Sequence, residues 1–247
     1  MNPSRRPEWD MAVNVDMMMN MEIMLWAAEN GGNDAYVTAV EGHADATWKD
    51  IVRDDNSTFH VAAYDPATGD LVDQGTYQGW QDSSTWSRGQ AWAIYGYVMV
   101  YRFLKKERFL SYSIGLLEYF EANVASDNVP FSDFDAPEDE FNPKDSSSTA
   151  IVGSALFELF ETTGDPVYLE TAQSYLSSVL SADYYQPSAT DGWESILRKA
   201  SSEWDSDEVG AVFGDYFLLE AMVRFFFFFK RFFRWKTKET AHTHLHF

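Results

Sequence analysis

The chain has 247 residues, no cysteine, 45% hydrophobic and 17% aromatic side chains, and a formal net charge of −21. That length and apolar content suffice for one large domain with a substantial core and exclude a disordered chain. The lack of cysteine excludes a disulfide framework and a thiolate metal site, and the charge opposes binding to nucleic acid or to an anionic membrane.

Met11, Val15, Met18, Met19, Ile23 and Trp26 recur at helical spacing, which predicts a helix over 9–30 that stops at Gly31-Gly32. A second helix is expected from about Asp34 to Val52. The run Thr58 to Tyr64, rich in β-branched and aromatic residues, predicts a strand, and the turn residues Asp65-Pro66-Ala67-Thr68-Gly69-Asp70 predict a β-hairpin. After Gln81-Asp82-Ser83-Ser84-Thr85, where Ser or Thr suits a cap, a long helix is expected from Trp86 to about Lys106. Further helices are expected at 109–124, 145–163, 166–180 and 208–224, separated by loops bearing Pro130, Pro137, Pro143, Gly164, Pro187 and Gly192. This order reads as an all-α fold of antiparallel helix neighbours.

The composition changes at Arg224. From there onward six basic residues stand against one acidic, which leaves 12 basic and 38 acidic residues before it, a body charge of 12 − 38 = −26. Phe225 to Phe229 are followed by Lys230, Arg231, Arg234, Lys236 and Lys238, then by His242, His244 and His246. A cationic aromatic helix could lie on a membrane surface, and alternating histidines could bind a metal. We read 225–247 instead as sequence foreign to the domain at 1–224, out of frame or intron-derived, because five consecutive phenylalanines make an aggregation hazard rather than a helix face. The first ten residues lack the apolar stretch of a secretory signal, so a cytoplasmic location is expected.

The segment Trp86-Ser87-Arg88-Gly89-Gln90-Ala91-Trp92 suits carbohydrate, since aromatic faces stack on sugar C–H surfaces and Arg and Gln offer donors to carboxylates and hydroxyls. At roughly 100° per residue the two tryptophans lie about 240° apart on a helix. Both reach one face only if Trp86 precedes the helix; otherwise one is core, with Trp92 the better candidate. Taken alone, Asp16 reads as a cap or solvated helix aspartate, His60 reads equally as a structural group or a ligand contact, and Gln78 is an ordinary loop residue. Gly89 suits a close approach, and Asp145 and Asp215 suit helix capping rather than substrate contact. No phosphate loop, zinc spacing or Ser-His-Asp order is present, so no cofactor and no metal is implied.

The segment Trp86 to Trp92, together with Asp16-Met17-Met18-Met19-Asn20, Leu25-Trp26-Ala27-Ala28, Thr58-Phe59-His60 and Tyr77-Gln78-Gly79-Trp80, resembles the unsaturated glucuronyl hydrolases, glycoside hydrolase family 88. Asp145-Ser146-Ser147-Ser148-Thr149-Ala150, Glu208-Val209-Gly210 and Gly214-Asp215-Tyr216 extend the resemblance, which spans residue 9 to about 224. It implies an (α/α)6 barrel of six helical hairpins. Only seven or eight helices are expected here, a second functional aspartate of the family has no counterpart, and the Asp16 segment lies close to Met1. Those departures read as a barrel incomplete at its N-terminus.

The resemblance implies a hydrolase of unsaturated glucuronyl oligosaccharides that hydrates the 4,5 double bond of the terminal uronate. Asp16 is the implied general acid and base, and the three methionines after it are expected to desolvate it. His60, Gln78, Trp86, Arg88 and Trp92 are the implied substrate contacts, with the tryptophans stacking on sugar rings and Arg88 meeting the uronate carboxylate. An unsaturated rhamnogalacturonyl hydrolase is the nearest alternative, and a catalytically dead truncated relative is another. Dimerisation would cover the apolar faces that an incomplete barrel leaves wet.

Overall fold

The computed structural model describes residues 6, 8–138, 141–187, 192–202 and 208–243, with the backbone alone at 208 and 229–243. Seven α-helices lie among them: α1 Met21–Glu29, α2 Ala35–Asp50, α3 Ser87–Leu104, α4 Glu107–Asn123, α5 Ser146–Thr163, α6 Pro166–Val179 and α7 Val212–Thr243. Strands β1 (Met11–Asn14), β2 (Val61–Tyr64) and β3 (Leu71–Gly75) form an antiparallel sheet in that order, and β4 (Ala200–Ser201) pairs with β5 (Glu208–Val209).

Burial separates the helices into two layers. From Ser87 to Val100 and from Ser146 to Leu159, every side of α3 and α5 is buried. A helix enclosed all round belongs to the middle of a structure. Helix α4 buries only Phe109, Ser113, Leu116, Leu117 and Phe120, and α6 only Ala172, Tyr175, Leu176 and Val179, the single stripe of an outer helix. The pairs α1/α2, α3/α4 and α5/α6 pack as hairpins, while α1, α3, α5 and α7 touch in series. Helices α3 and α5 run parallel, because Arg88 near the start of α3 meets Asp145 at the start of α5, and Arg102 near the end of α3 meets Glu158 near the end of α5. Their N-terminal ends therefore lie on one side of the molecule.

Sequence and structure agree on α2 to α6. Gly31 at φ +88° and Gly164 at φ +73° end α1 and α5 in the left-handed conformation open to glycine. The helix expected over 9–30 is a correction. Met11–Asn14 is a strand, Val15–Asn20 a 3-10 helix, and only Met21–Glu29 is α-helical. Pairing decides it, since Met11 to Asn14 lie opposite Tyr64 to Val61 and extend the expected hairpin to three strands. Helix α7 differs too. It begins at Val212, after β5, and its backbone runs through Arg224 to Thr243, a stretch without glycine or proline. Phe225 packs on Phe157 at 6.0 Å and Phe228 on Phe160 at 5.0 Å. The side chain of His242 and all of His244 and His246, candidate metal ligands, lie outside the described residues.

Candidate active site

The three-stranded sheet assembles the first part of the site. Asn14 pairs with Val61, and the next residue, Val15, donates its N–H to the His60 carbonyl at 2.9 Å. Asp16, which follows, therefore faces His60: Oδ2 and Nε2 are 3.3 Å apart. Neither atom reaches hydrogen-bond alignment with any partner, although both are buried. A buried polar atom without a partner is costly, so two such atoms side by side mark a place where a ligand or water belongs. The Asp16 side chain as a whole is 31% exposed, so the enclosure expected from Met17, Met18 and Met19 is only partial. Met18 is core and Met17 is exposed.

His60 is buried, with its ring tilted over Trp86 at 4.6 Å between centroids. Its Nδ1 accepts from the N–H groups of Tyr77 at 3.2 Å and Gln78 at 3.3 Å, with Thr76 Oγ1 at 3.3 Å. The turn that supplies these groups is itself pinned. Asp82 accepts from the Thr76 N–H and from Arg6; burial pushes its carboxyl up, but these bonds outweigh burial and hold it below the usual range. Asp133, fully buried, accepts from the Trp80 N–H at 2.9 Å and Ser84 Oγ at 2.7 Å, and burial pushes its carboxyl up. Arg53 donates to the carbonyls of Thr58, Ser83 and Ser84, tying the end of this turn to the segment before His60.

The second part stands on the N-terminal ends of α3 and α5. Trp86 is extended (φ −67°, ψ 120°) and precedes α3, so it escapes the angular separation that a continuous helix would impose. It is 2% exposed, with its ring beside His60 and under the Arg88 guanidinium at 4.5 Å, and its Nε1 is a third buried atom without a partner. Trp86 thus presents an indole N–H edge rather than an open face. Trp92 is buried against Phe213 and Phe217, at 5.8 and 5.5 Å. Gly89 fits because a Cβ there would meet Trp86 Cε3 at 2.9 Å.

Arg88 is 3% exposed, and Nη1 donates to Asp145 at 2.7 Å and to the Ser201 carbonyl at 2.6 Å. Nη2 donates to the Ser202 carbonyl at 3.1 Å, which also accepts from Gln78 Nε2 at 2.7 Å. Ser201 and Ser202 thus link the two residues. Asp145 caps α5 through the Ser147 N–H, as its position suggests. Asp215 does not cap α7; its carboxylate accepts from the N–H groups of Ile196 and Leu197 and pins that segment.

Asp16, His60 and Trp86 are therefore brought together, Gln78 and Arg88 meet at Ser202, and Trp92 lies in the aromatic layer behind. Sequence reasoning missed Asp133, Thr76, Arg53 and the Ser201-Ser202 segment. The one available signal was the pair Asp133 and Asp135 in an aperiodic, phenylalanine-flanked loop, where an acid has a reason to be satisfied inside.

The three hairpins and the inner layer of α3, α5 and α7 are an all-α arrangement of the kind found in six-hairpin glycosidases. No protein-family model matches the chain. An unsaturated glucuronyl hydrolase of Formosa agariphila is 38% identical over 221 residues, 87% of this chain and 55% of that protein. An unsaturated chondroitin disaccharide hydrolase of Streptococcus pyogenes is 32% identical over 88% of this chain and 56% of its own length. A crystal structure of an unsaturated glucuronyl hydrolase specific for heparin superposes with TM-score 0.84 at 30% identity, covering 90% of this chain and 61% of that one. Over the residues it spans, the chain is similar to the unsaturated glucuronyl hydrolases. It spans about 55–60% of the length of the curated relatives it matches.

Proposed function

We propose that the protein hydrates the 4,5 double bond of a terminal unsaturated glucuronate and so releases that unit from an oligosaccharide, with Asp16 as general acid and base. The Asp16–His60 pair carries this reading, with two buried, unpartnered polar atoms 3.3 Å apart in a chain similar to unsaturated glucuronyl hydrolases.

The substrate ring is an enol ether. Protonation at C4 leaves positive charge shared by C5 and the ring oxygen, and water adding at C5 gives a hemiketal. Collapse of the hemiketal opens the ring and expels the neighbouring sugar as an alcohol. Asp16 gives one proton to C4 and takes one from the attacking water, ending as it began. His60 Nε2 and Trp86 Nε1 are proposed donors to substrate or to the Asp16 carboxylate. Gln78 contacts the uronate, Arg88, held by Asp145, shapes the wall through Ser202, and Trp92 lies in the aromatic layer behind.

A glucuronyl end is favoured over a rhamnogalacturonyl one because the relatives' names specify glucuronyl and chondroitin units. Reducing-sugar release from unsaturated chondroitin, hyaluronan and pectin-derived disaccharides tests this, and preference for the pectin-derived one would overturn it. The barrel domain is proposed to occupy 1–224, with 225–247 appended. No helix among the described residues is long and apolar enough to cross a membrane. A cytoplasmic site suits a chain without cysteine. A homodimer would cover exposed apolar side chains on α7 such as Tyr216, Leu219 and Val223, and sedimentation tests it.

A further inference from the structure

We propose that Asp133 is a positioning residue that, through the turn at 76–84, holds His60 as its Nε2–H tautomer, with the protonated nitrogen on the side of the ring beside Asp16. The proposal rests on the reading of Asp16 and His60 above.

A backbone N–H is a donor and nothing else. Nδ1 of His60 receives two of them, from Tyr77 and Gln78, so that nitrogen carries the lone pair and the ring proton sits on Nε2. Nε2 is the nitrogen 3.3 Å from Asp16 Oδ2. Once Asp16 has given its proton to C4, a donor there stabilises the carboxylate left behind; the other tautomer would set two lone pairs against each other. Tautomer choice at His60 is therefore part of the site's preparation.

The two amides keep their aim only while the turn keeps its shape. Asp133 enforces that shape from behind. Its Oδ2 accepts the Trp80 N–H and the Ser84 hydroxyl, and its Oδ1 accepts the Asp135 N–H at 3.0 Å. Gly79 passes so close that a Cβ would stand 2.9 Å from both Asp133 Oδ2 and Thr76 Oγ1. Thr76 Oγ1 accepts the Gly79 N–H at 2.7 Å and lies 3.3 Å from Nδ1, joining the Asp133 anchor to the imidazole. An asparagine at 133 would fit the space but turn an N–H against one of these donors.

The test is long-range proton–nitrogen NMR of the His60 ring in the whole chain, assigned with His60→Gln, beside kinetics on an unsaturated chondroitin disaccharide. The wild type is expected to show an unprotonated Nδ1 and a protonated Nε2. In Asp133→Asn the two nitrogen shifts are expected to move toward each other as the tautomers mix, with kcat down tenfold or more and KM within about twofold, as misplacement of a supporting group predicts. Gly79→Ala wedges a methyl between the turn and the Asp133–Thr76 contact while keeping the Asp133 carboxyl itself, and is expected to give the same signature, which covers the case of an unfolded Asp133→Asn. A wild-type Nδ1–H, or a fixed Nε2–H tautomer in both folded variants, would overturn the proposal. A correct tautomer response in a chain without turnover would retain Asp133's role and reject the proposed activity instead.

Discussion

Asp145→Asn should be among the most destabilising single substitutions in this chain. The Asp145 carboxylate is fully buried and receives the Arg88 guanidinium at 2.7 Å, the Ser147 N–H at 3.1 Å, and the hydroxyls of Ser147 and Ser148. Asparagine keeps one acceptor for the cap but leaves Arg88, itself 3% exposed, as a buried cation facing two carbonyls and the Ser147 hydroxyl, none of them charged. Removing one partner of a buried pair costs about 3–5 kcal/mol, which for a domain of this size lowers Tm by about 6–20 °C. Arg88→Met should cost less, about 1–3 kcal/mol, because Asp145 retains three donors when the guanidinium is gone. The double variant should cost clearly less than the sum, since neither buried charge then remains. Urea unfolding of the four proteins, followed by far-ultraviolet circular dichroism, measures the cycle. A cost below about 1 kcal/mol for Asp145→Asn, or strict additivity, would refute the argument that this pair ties α3 to α5.

Other substitutions probe other links. Gly96→Val should destabilise by about 1–3 kcal/mol, because a Cβ there would lie 2.6 Å from Met18 Cβ and push the 3-10 segment off α3; thermal denaturation reads it. Gly89→Ala presses on Trp86 and Val15 and should lower turnover more than Tm, measured side by side. Arg224→Met withdraws one of the two cations from buried Glu158, whose carboxyl burial already pushes up. A carboxyl raised in the folded state favours folding at low pH and loses that contribution as pH rises through its folded value, so the variant's deficit should be small near pH 4 and larger at pH 7 in urea titrations. Asp127 goes the other way. Burial raises it, but bonds from Tyr184 and Lys144 win and hold it low. Its contribution is present above the unfolded value and is lost as pH falls below about 4, and Lys144→Met should weaken it without removing it, because the Tyr184 and Val129 bonds remain.

Helices α4 and α6 were legible from a single apolar stripe, and others from a recognisable end, such as Gly164 after α5 or Pro166 at the start of α6. The stretch Met11 to Asn20 was not. Its apolar residues satisfy a helical period, and the strand exists because β2, some fifty residues later, offers an edge in register. Local propensity cannot report such pairing. The residue types of the site were legible at Asp16, His60 and Trp86, but their roles depended on contacts distant in sequence. Arg88 reads as a free fork for a carboxylate until Asp145, 57 residues on, is found against it. Asp133 had no periodic signal at all, because a buried loop acid is specified by the donors around it. The absence of any stop after Arg224 was visible, yet the change in composition there drew a boundary that the α7 backbone crosses.

Asp16 carries the proposed hydration. The conjugated double bond of an unsaturated glucuronyl disaccharide absorbs in the ultraviolet, and hydration removes that band. Mixing the disaccharide with the purified chain should produce a first-order loss of absorbance that Asp16→Asn abolishes while the variant keeps the wild-type circular dichroism spectrum. Undiminished absorbance with the folded wild-type chain, or an equal decay with Asp16→Asn, would contradict it.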